Sequence, residues 1–270
     1  MTEARSADEL RAMRRAGLVV AAGLEAMLAE VRPGVTTAEI DRVGREVLAR
    51  HGARSNFLNY GAEYGVGFPG VACISVNDEL VHGIPGERVL AEGDLVSIDF
   101  GAVVDGWHGD AARSVCVGEG RAEDRELNRV TEESLWAGTM QMRAGGRVQD
   151  VSRAIERAIR REGRYGILRE YTGHGIGREM HLPPDVPNYR TFGRRVPLRV
   201  GTVLAIEPMV TLGSHRTVEL DDEWTVISAD GSRGSHFENT VAITEQGIWV
   251  LTEPDGGEAR LGDRFGPLSD

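Results

Sequence analysis

The feature that most restricts the fold is a pattern that the sequence uses twice. Residues 32–52 and 143–163 each open with Arg-X-Gly, continue with apolar residues at helical spacing and close on a glycine, 111 positions apart. Farther along, residues 93–100 (GDLVSIDF) and 201–208 (GTVLAIEP) match at an offset of 108. Two matches at nearly equal offsets predict an internal duplication, with helices and a carboxylate-bearing strand in each half.

Two capping boxes mark the helices of the first half. Residues 6–9 (SADE) and 36–39 (TTAE) follow the S/T-x-x-E pattern, in which side chains and backbone satisfy each other at a helix N-terminus. The helices that they start end at the next Pro-Gly step and at Gly52. Residues 53–70 have no regular period and predict a long loop.

Residues 94–117 predict a hairpin that brings two carboxylates together. Two apolar runs flank Asp105-Gly106, and an Asp-Gly step between strand-forming residues is a strong hairpin signal. A turn there puts Asp99 and Asp110 at roughly the same level on neighbouring strands, with Cβ atoms ~5 Å apart. Like charges at that distance are destabilising unless a cation lies between them.

The second half supplies further polar residues in short segments. The glycine-rich run 171–181 carries His174 and His181, and its glycines allow the chain to curl so that both imidazoles face one pocket. A second Asp-Gly step, at 230–231, predicts another hairpin, whose second strand carries Glu238.

Together these residues form an oxygen-rich set that is typical of a two-metal site. A ligand set made of carboxylates with few nitrogen ligands suits Co, Mn, Fe or Zn, usually as a pair of divalent ions. Two ions roughly 3.5–4 Å apart can hold a bridging hydroxide and clamp a tetrahedral intermediate. Without cations, four carboxylates in one cavity would be costly. The set consists of Asp99, Asp110, His174, Glu207 and Glu238.

The composition excludes several other classes. The net charge of −11 argues against nucleic acid or an anionic membrane as a partner. All 31 Lys and Arg residues are arginine. Because the chain has no lysine, Schiff-base chemistry and a phosphate-loop lysine are excluded. Cys73 and Cys116 form neither a disulfide framework nor a zinc-finger spacing. Because no apolar leader or membrane-length apolar run occurs, we expect a cytoplasmic protein.

In this order, the motifs resemble those of the methionine aminopeptidases of the short bacterial type (type I). The matching segments are DFGAVVDGWHGD at 99–110, GHGIG at 173–177, AIEP at 205–208 and FENT at 237–240, and the resemblance covers about residues 6–250. The resemblance implies that the five residues of the oxygen-rich set are ligands of two divalent metal ions.

The resemblance also implies roles for three residues. His82 of VHGIP resembles the histidine beside the substrate amine and the scissile nitrogen. His181 resembles the histidine that hydrogen-bonds the scissile carbonyl and its oxyanion. Glu207, besides ligating, resembles the general base that takes a proton from the metal-bound water.

We expect apolar residues beside these positions to line the pocket for the first side chain of the substrate. A thioether is flexible and polarizable and pairs well with sulfur and aromatic groups. The candidates are Phe68, Cys73, Met180 and Trp224, with Tyr64 as a further one.

The resemblance also implies an α+β protein with the pita-bread fold, in which internally duplicated helices pack on a curved, mostly antiparallel sheet. Residues 1–252 are expected to form one catalytic domain. Residues 253–270 hold Pro, Gly and charged residues without a period, and we expect them to form a loose C-terminal tail. The expected activity is removal of N-terminal methionine from nascent proteins and peptides through a metal-bridging hydroxide. A monomeric enzyme would meet these substrates at the ribosome, without binding nucleic acid or membrane directly.

Some positions depart from the family's usual pattern. The family usually has lysine, phenylalanine and histidine where this chain has Gly70, Met180 and Asn239. These changes affect residues expected in or near the pocket wall and leave the ligands unchanged. His236 precedes Glu238 by two residues, so an alternating strand would put both on one face. We interpret His236 as a structural residue.

Two other functions stay open. A proline-specific aminopeptidase or dipeptidase of the same fold shares the ligand set, but usually lacks the run Trp107-His108-Gly109 before the second aspartate. A non-catalytic binding protein of the same fold typically loses ligands. Because this chain keeps all five, methionine removal is the favoured function.

Overall fold

The computed structural model of the protein describes residues 3–192 and 195–268. In this part of the chain, long helices flank antiparallel strands. The helices are α1 (Ala7–Ala29), α2 (Thr37–His51), α3 (Ala122–Thr139), α4 (Val148–Glu162) and α5 (Glu258–Leu261), with a 3₁₀ turn at Gly262–Arg264.

The strands pair only in the antiparallel sense among the described residues, which confirms the predicted α+β class. They are β1 (Arg54–Ser55), β2 (Ala72–Val76), β3 (Glu79–Val81), β4 (Leu95–Val104), β5 (Trp107–Cys116), β6 (Gly166–Ile167), β7 (Gly173–Gly175), β8 (Leu182–Val186), β9 (Val203–Ile206), β10 (Met209–Thr211), β11 (Thr217–Glu219), β12 (Val226–Ser228), β13 (Gly234–His236), β14 (Asn239–Ile243) and β15 (Ile248–Val250).

Both predicted capping boxes are present. Ser6 Oγ accepts a hydrogen bond from the Glu9 N–H at 3.3 Å, and Glu9 Oε2 accepts one from the Ser6 N–H at 2.8 Å. Thr36 and Glu39 form the same pair of bonds at 3.2 and 2.8 Å. Each box satisfies two donors that a helix N-terminus otherwise leaves unpaired, so α1 and α2 begin where the sequence predicts.

The first-half helices pack on one face of β4. Ile98 and Phe100 are fully buried in a core cluster with residues of α1 and α2. Gly23 permits the close approach, because a Cβ atom there would lie 2.2 Å from the Phe100 ring. Since side chains alternate along a strand, Asp99 points to the opposite face, toward the second half.

The central hairpin turns where the sequence predicts, with Asp105 and Gly106 at φ of 52° and 75°. The ladder pairs Asp99 with Ala112 and Gly101 with Asp110. The two aspartates are therefore diagonal neighbours two residues apart in register, and not directly opposite as the spacing suggested. Both still face one side, because their positions differ by an even number of residues.

The predicted duplication is visible in the backbone. Gly34 and Gly145 share a positive φ, of 90° and 82°, and Gly93 and Gly201 both have a φ of 83°. Each half also closes with an isolated antiparallel bridge at corresponding positions, Thr36 with Val89 and Arg147 with Pro197. Equivalent turns in left-handed conformations fix equivalent helix and strand ends.

The hairpin predicted at Asp230-Gly231 is wrong. β12 pairs with β11 and β3, whereas β13 pairs with β10, so the strands before and after the turn belong to different sheets. Asp230 instead accepts hydrogen bonds from the Ser214 and Ser232 N–H groups, and thereby fixes the turn that separates them.

The prediction of a loose C-terminal tail is also wrong for the described residues. Leu261 is 3% exposed and packs in the core of the second half. Phe265 bridges to Ile248, and the Gly266 N–H donates to the Ile248 carbonyl at 3.0 Å. The polar, aperiodic sequence hides these contacts because they are made by two isolated apolar residues and by backbone. That residues 1–252 form a single domain stays a prediction.

A further expectation concerns membranes. None of the helices in residues 3–192 and 195–268 combines the length and the apolar character that crossing a bilayer requires.

Candidate active site

A cavity of about 100 Å³ lies where the hairpin of the first half meets the short strands of the second. Its lining divides by chemistry into three sets. The acidic wall consists of Asp99, Asp110, Glu207 and Glu238; the apolar wall consists of Phe57, Phe68, Cys73, Met180 and Trp224; and Tyr60, His82, His174 and His181 complete the lining.

Backbone pairing brings the acidic wall together. Asp99 lies opposite Ala112 in the hairpin, and Ala112 exchanges backbone hydrogen bonds with Glu238 at 2.9 and 3.4 Å. Glu207 follows β9 directly, and β9 pairs with the strand that follows Glu238. The Asp110 N–H donates to Thr240 Oγ1 at 3.0 Å. The four carboxylates are therefore held on, or directly next to, four neighbouring strands: β4, β5, β9 and β14.

His174 presents a free nitrogen to the acidic wall. Its Nδ1 lies 3.0 Å from the Gly175 carbonyl oxygen. A carbonyl only accepts hydrogen bonds, so Nδ1 carries the proton and Nε2 keeps its lone pair. Nε2 lies 3.4 Å from Glu207 Oε1. A histidine held this way at one nitrogen is oriented as metal-ligating histidines are.

The distances fit metal ligation. Two atoms that each lie about 2.1 Å from one ion are at most about 4.2 Å apart. The His174–Glu207 separation is within that limit. Ligand atoms of Asp110, His174 and Glu238 are gathered within 4.8 Å of one another, a slightly wider bound.

Several of these atoms also lack any other partner. Among the described residues, Asp99 Oδ1, Asp110 Oδ1 and Glu238 Oε1 are buried without a hydrogen bond. Buried carboxylate oxygens without partners are costly, and a bound cation would satisfy them. The residues present therefore fit a divalent metal centre.

The pKa shifts of the acidic wall and of His174 also fit a metal centre. Burial raises the pKa of Asp99 to about 7. Burial, followed by repulsion from neighbouring carboxylates, raises the pKa of Asp110, Glu207 and Glu238 well above their ordinary values. Burial lowers the pKa of His174 to about 3, which keeps the imidazole neutral and able to ligate.

His82 and His181 flank this wall. His82 has a φ of 58°, a left-handed conformation that costs a non-glycine residue roughly 1–3 kcal/mol and is concentrated at functional sites. His181 packs edge-on against His174, with ring centroids 4.4 Å apart, and its Nδ1 lies 2.7 Å from the Tyr60 hydroxyl. The structure thus brings both predicted histidines to the cavity.

The apolar wall is a cluster of edge-to-face aromatic contacts. Phe68 meets Phe57 and Trp224 with ring centroids 6.4 and 5.4 Å apart. The Trp224 indole N–H donates to the Val66 carbonyl at 2.8 Å, which ties the loop before β2 to this wall. Such pairs add rigidity to a hydrophobic surface.

One predicted pocket residue lies elsewhere. Tyr64 is 91% exposed and does not line the cavity. Its position in a turn between Gly61 and Gly67 directs it outward. The predicted Phe68 does reach the cavity, together with Phe57 and Tyr60 of the same loop. The aperiodic sequence of the loop carries no signal that separates Phe57 and Tyr60 from Tyr64.

Two of the departures from the family pattern, Gly70 and Asn239, have local explanations. A Cβ atom at Gly70 would lie 2.6 Å from the Pro85 ring, so no larger residue fits there. Asn239 points away from the cavity and accepts hydrogen bonds from Arg113 and Thr252, each at 2.8 Å. Arg113 also donates to the Glu238 backbone carbonyl. Asn239 therefore supports the backbone behind Glu238.

This arrangement defines a metallopeptidase. A model of metallopeptidase family M24 matches residues 11–245, and the chain belongs to that family. It is therefore a peptide-bond hydrolase, and the family predicted from the motifs is confirmed.

Named relatives show which members of the family this chain is similar to. Methionine aminopeptidase 1 of Mycobacterium tuberculosis (strain CDC 1551 / Oshkosh) is 51% identical over 254 residues, which cover 92% of this chain and 94% of the relative. Methionine aminopeptidase 1 of Bacillus subtilis (strain 168) is 43% identical and covers 90% and 96%.

Solved structures agree on the fold. The methionine aminopeptidase of Thermotoga maritima superposes with a TM-score of 0.89 at 40% identity, over 94% of this chain and 100% of that one. The prolidase of Pyrococcus furiosus gives 0.73 at 23% identity, over 93% and 65%, and shares the fold alone. The predicted pita-bread fold is confirmed.

Proposed function

We propose that this protein is a methionine aminopeptidase, which hydrolyses the peptide bond after an N-terminal methionine of nascent proteins. The observation that carries the proposal is one cavity that joins a carboxylate and histidine set to an apolar wall. The first can serve peptide hydrolysis, and the second suits a thioether side chain. The high identity to two relatives named methionine aminopeptidase 1 supports it.

In this proposal, two divalent ions, of Co, Mn, Fe or Zn, are held by the acidic wall and His174. The ligand set is Asp99, Asp110, His174, Glu207 and Glu238. When bound, such ions act as Lewis acids on the scissile carbonyl and lower the pKa of water. Orphaned oxygens and an oriented imidazole nitrogen support the assignment.

Glu207 accepts the proton of the attacking water in this proposal. Burial and nearby carboxylates raise the pKa of this group well above its ordinary value. A carboxylate with a raised pKa is a stronger base, so it suits proton transfer near neutral pH. Its place at the end of β9, facing the cavity, puts it within reach of a bound peptide.

His181 and His82 act on the peptide bond itself. His181 hydrogen-bonds the carbonyl oxygen as negative charge develops on it, and Tyr60 holds the imidazole from its other side. His82 lies beside the substrate amine and the scissile nitrogen. Burial lowers its pKa to about 4, so its imidazole is neutral and can exchange a hydrogen bond with that amine.

The apolar wall selects the first residue. A methionine side chain would contact the sulfur atoms and ring edges of Cys73, Met180 and Trp224. A charged first residue would be buried there without a partner, which is costly. We place this activity in the cytoplasm, at N-termini emerging from the ribosome, with the enzyme as a monomer.

Hydrolysis of a tripeptide tests the proposal. Met-Ala-Ser and a set of Xaa-Pro peptides are given to the metal-free protein and to the protein loaded with Mn²⁺ or Co²⁺. We expect methionine release from Met-Ala-Ser only in the loaded protein. Faster cleavage of the Xaa-Pro peptides would identify a proline-specific enzyme instead, and no cleavage of either by the loaded protein would indicate a binding protein.

A further inference from the structure

His236 lies at the edge of the acidic wall, where the proposed reaction leaves it without a role. The residue is 2% exposed, and its Nε2 is buried without a hydrogen-bond partner among the described residues. Nε2 lies 3.7 Å from Glu207 Oε2 and 3.9 Å from Glu238 Oε2. A buried imidazole nitrogen without a partner, facing two carboxylates, requires a physical explanation.

The distances decide between a hydrogen bond and a shared ion. An N–H···O hydrogen bond spans about 2.7–3.2 Å, so both separations are too long for one. Two ligands of one ion, each about 2.1 Å from it, lie up to about 4.2 Å apart. Both separations from His236 fall within that span.

The position of His236 is fixed by its neighbours. Ser114 Oγ accepts a hydrogen bond from the His236 N–H and donates one to the His236 carbonyl, both at 2.9 Å. The residue also pairs with Met209 across the β10–β13 ladder. Both backbone groups of His236 are therefore held in place, which fixes the position from which its side chain projects.

Glu207 offers a separate oxygen to each of two imidazoles. Its Oε1 faces His174 at 3.4 Å, and its Oε2 faces His236 at 3.7 Å. Glu238 belongs to two groups of three residues. Asp110, His174 and Glu238 form the first, and Glu207, His236 and Glu238 form the second. Within each group, the possible ligand atoms lie within 4.8 Å of one another. The geometry therefore contains two ligand groups, each with its own histidine.

We propose that His236 is a sixth metal ligand, which with Glu207 and Glu238 holds a divalent ion at a position separate from that of His174. The inference rests on the proposed metal-dependent function and extends its ligand set. It also bears on which metal is bound. A second imidazole favours Fe, Co or Zn over Mn, which prefers oxygen ligands.

Nitrogen-detected NMR tests this directly. The full-length protein is labelled with ¹⁵N-histidine, freed of metal and titrated with Zn²⁺ to two equivalents. We expect the Nε2 resonances of His174 and His236 both to shift to the range of metal-bound imidazole. If His174 shifts and His236 does not, the present inference is wrong and the proposed function stands. If neither shifts, the proposed metal-dependent function falls with it.

A variant measures the contribution of the ligand. In His236→Gln we expect the second Zn²⁺ equivalent to bind at least about tenfold more weakly in equilibrium dialysis, since even second-shell partners contribute 10–100-fold. The first equivalent should be unchanged. His108→Gln is the matched control, because that histidine bonds Asn56 and does not line the cavity. An equal loss of Zn²⁺ affinity in both variants, or no loss of affinity in His236→Gln, would contradict His236 as a ligand.

Discussion

The acidic wall and the apolar wall face one substrate but are built differently. The carboxylates come from strands whose backbones pair with one another, as Ala112 pairs with both Asp99 and Glu238. The aromatic residues come mostly from a loop that one indole hydrogen bond ties to Trp224. Strand pairing fixes the relative positions of the ligands, whereas the aromatic residues of the pocket are held mainly by side-chain packing. Substitutions should therefore act on chemistry at one wall and on selectivity at the other.

The largest effect is expected at the acidic wall. Asp110→Asn should lower methionine release by more than about 100-fold, because a lost ligand should weaken metal binding more than the 10–100-fold seen for second-shell partners. Activity assays and metal analysis measure this. Asp105→Asn, at the exposed turn of the same hairpin, is the control and should keep full activity, since asparagine tolerates its positive φ. Near-normal metal content in Asp110→Asn would contradict the assignment.

A somewhat smaller effect is expected at the histidine beside the acidic wall. His181→Ala should lower kcat by about 100-fold, the lower range for a positioned proton donor or oxyanion partner, and leave metal content unchanged. Tyr60→Phe removes only the hydroxyl that holds this imidazole and should cost less. Steady-state kinetics with metal analysis tests both. Full activity in His181→Ala would exclude a role on the carbonyl oxygen.

The apolar wall should show about a tenfold effect. Phe57→Ala removes a ring that packs on Phe68, and should lower kcat/KM for Met-Ala-Ser by about tenfold, as expected for apolar pocket contacts worth 1–3 kcal/mol. Norleucine should be released nearly as well as methionine by the unaltered protein. Tyr64→Ala is the matched control, because that ring is exposed. A greater loss of kcat/KM in Tyr64→Ala than in Phe57→Ala would contradict the assignment of Phe57 to the substrate pocket.

The smallest effect concerns stability. Burial raises the pKa of Asp99 to about 7, so in the metal-free protein its contribution to stability is complete below the unfolded pKa and is lost as pH rises through about 7. A metal ion needs the ionised form and competes with the proton. From Asp99 alone, the stabilisation by metal should grow by about 1.4 kcal/mol between pH 6 and pH 8. Denaturant unfolding with and without metal measures this stabilisation at each pH. A difference in the free energy of unfolding that does not change with pH would contradict the raised pKa of Asp99.

The two walls also differ in how far sequence alone could predict them. Ligand positions follow from motifs with fixed spacing on strands, so Asp99, Asp110 and Glu238 were predictable, although the two-residue offset in the hairpin was not. Phe57 and Tyr60 were missed in favour of Tyr64, because loop residues have no period that reports direction. The diverging strands around Asp230 escaped prediction because pairing partners there are distant in sequence.

One cavity should hold metal at the acidic wall and the thioether of methionine at the apolar wall. Anomalous diffraction from a crystal of this protein with bound Co²⁺ and methionine locates both. We predict cobalt peaks among Asp99, Asp110, His174, Glu207 and Glu238, and the methionine sulfur peak against Cys73, Met180 and Trp224. Cobalt bound away from these carboxylates, or a methionine side chain turned out of the apolar wall, would contradict the account.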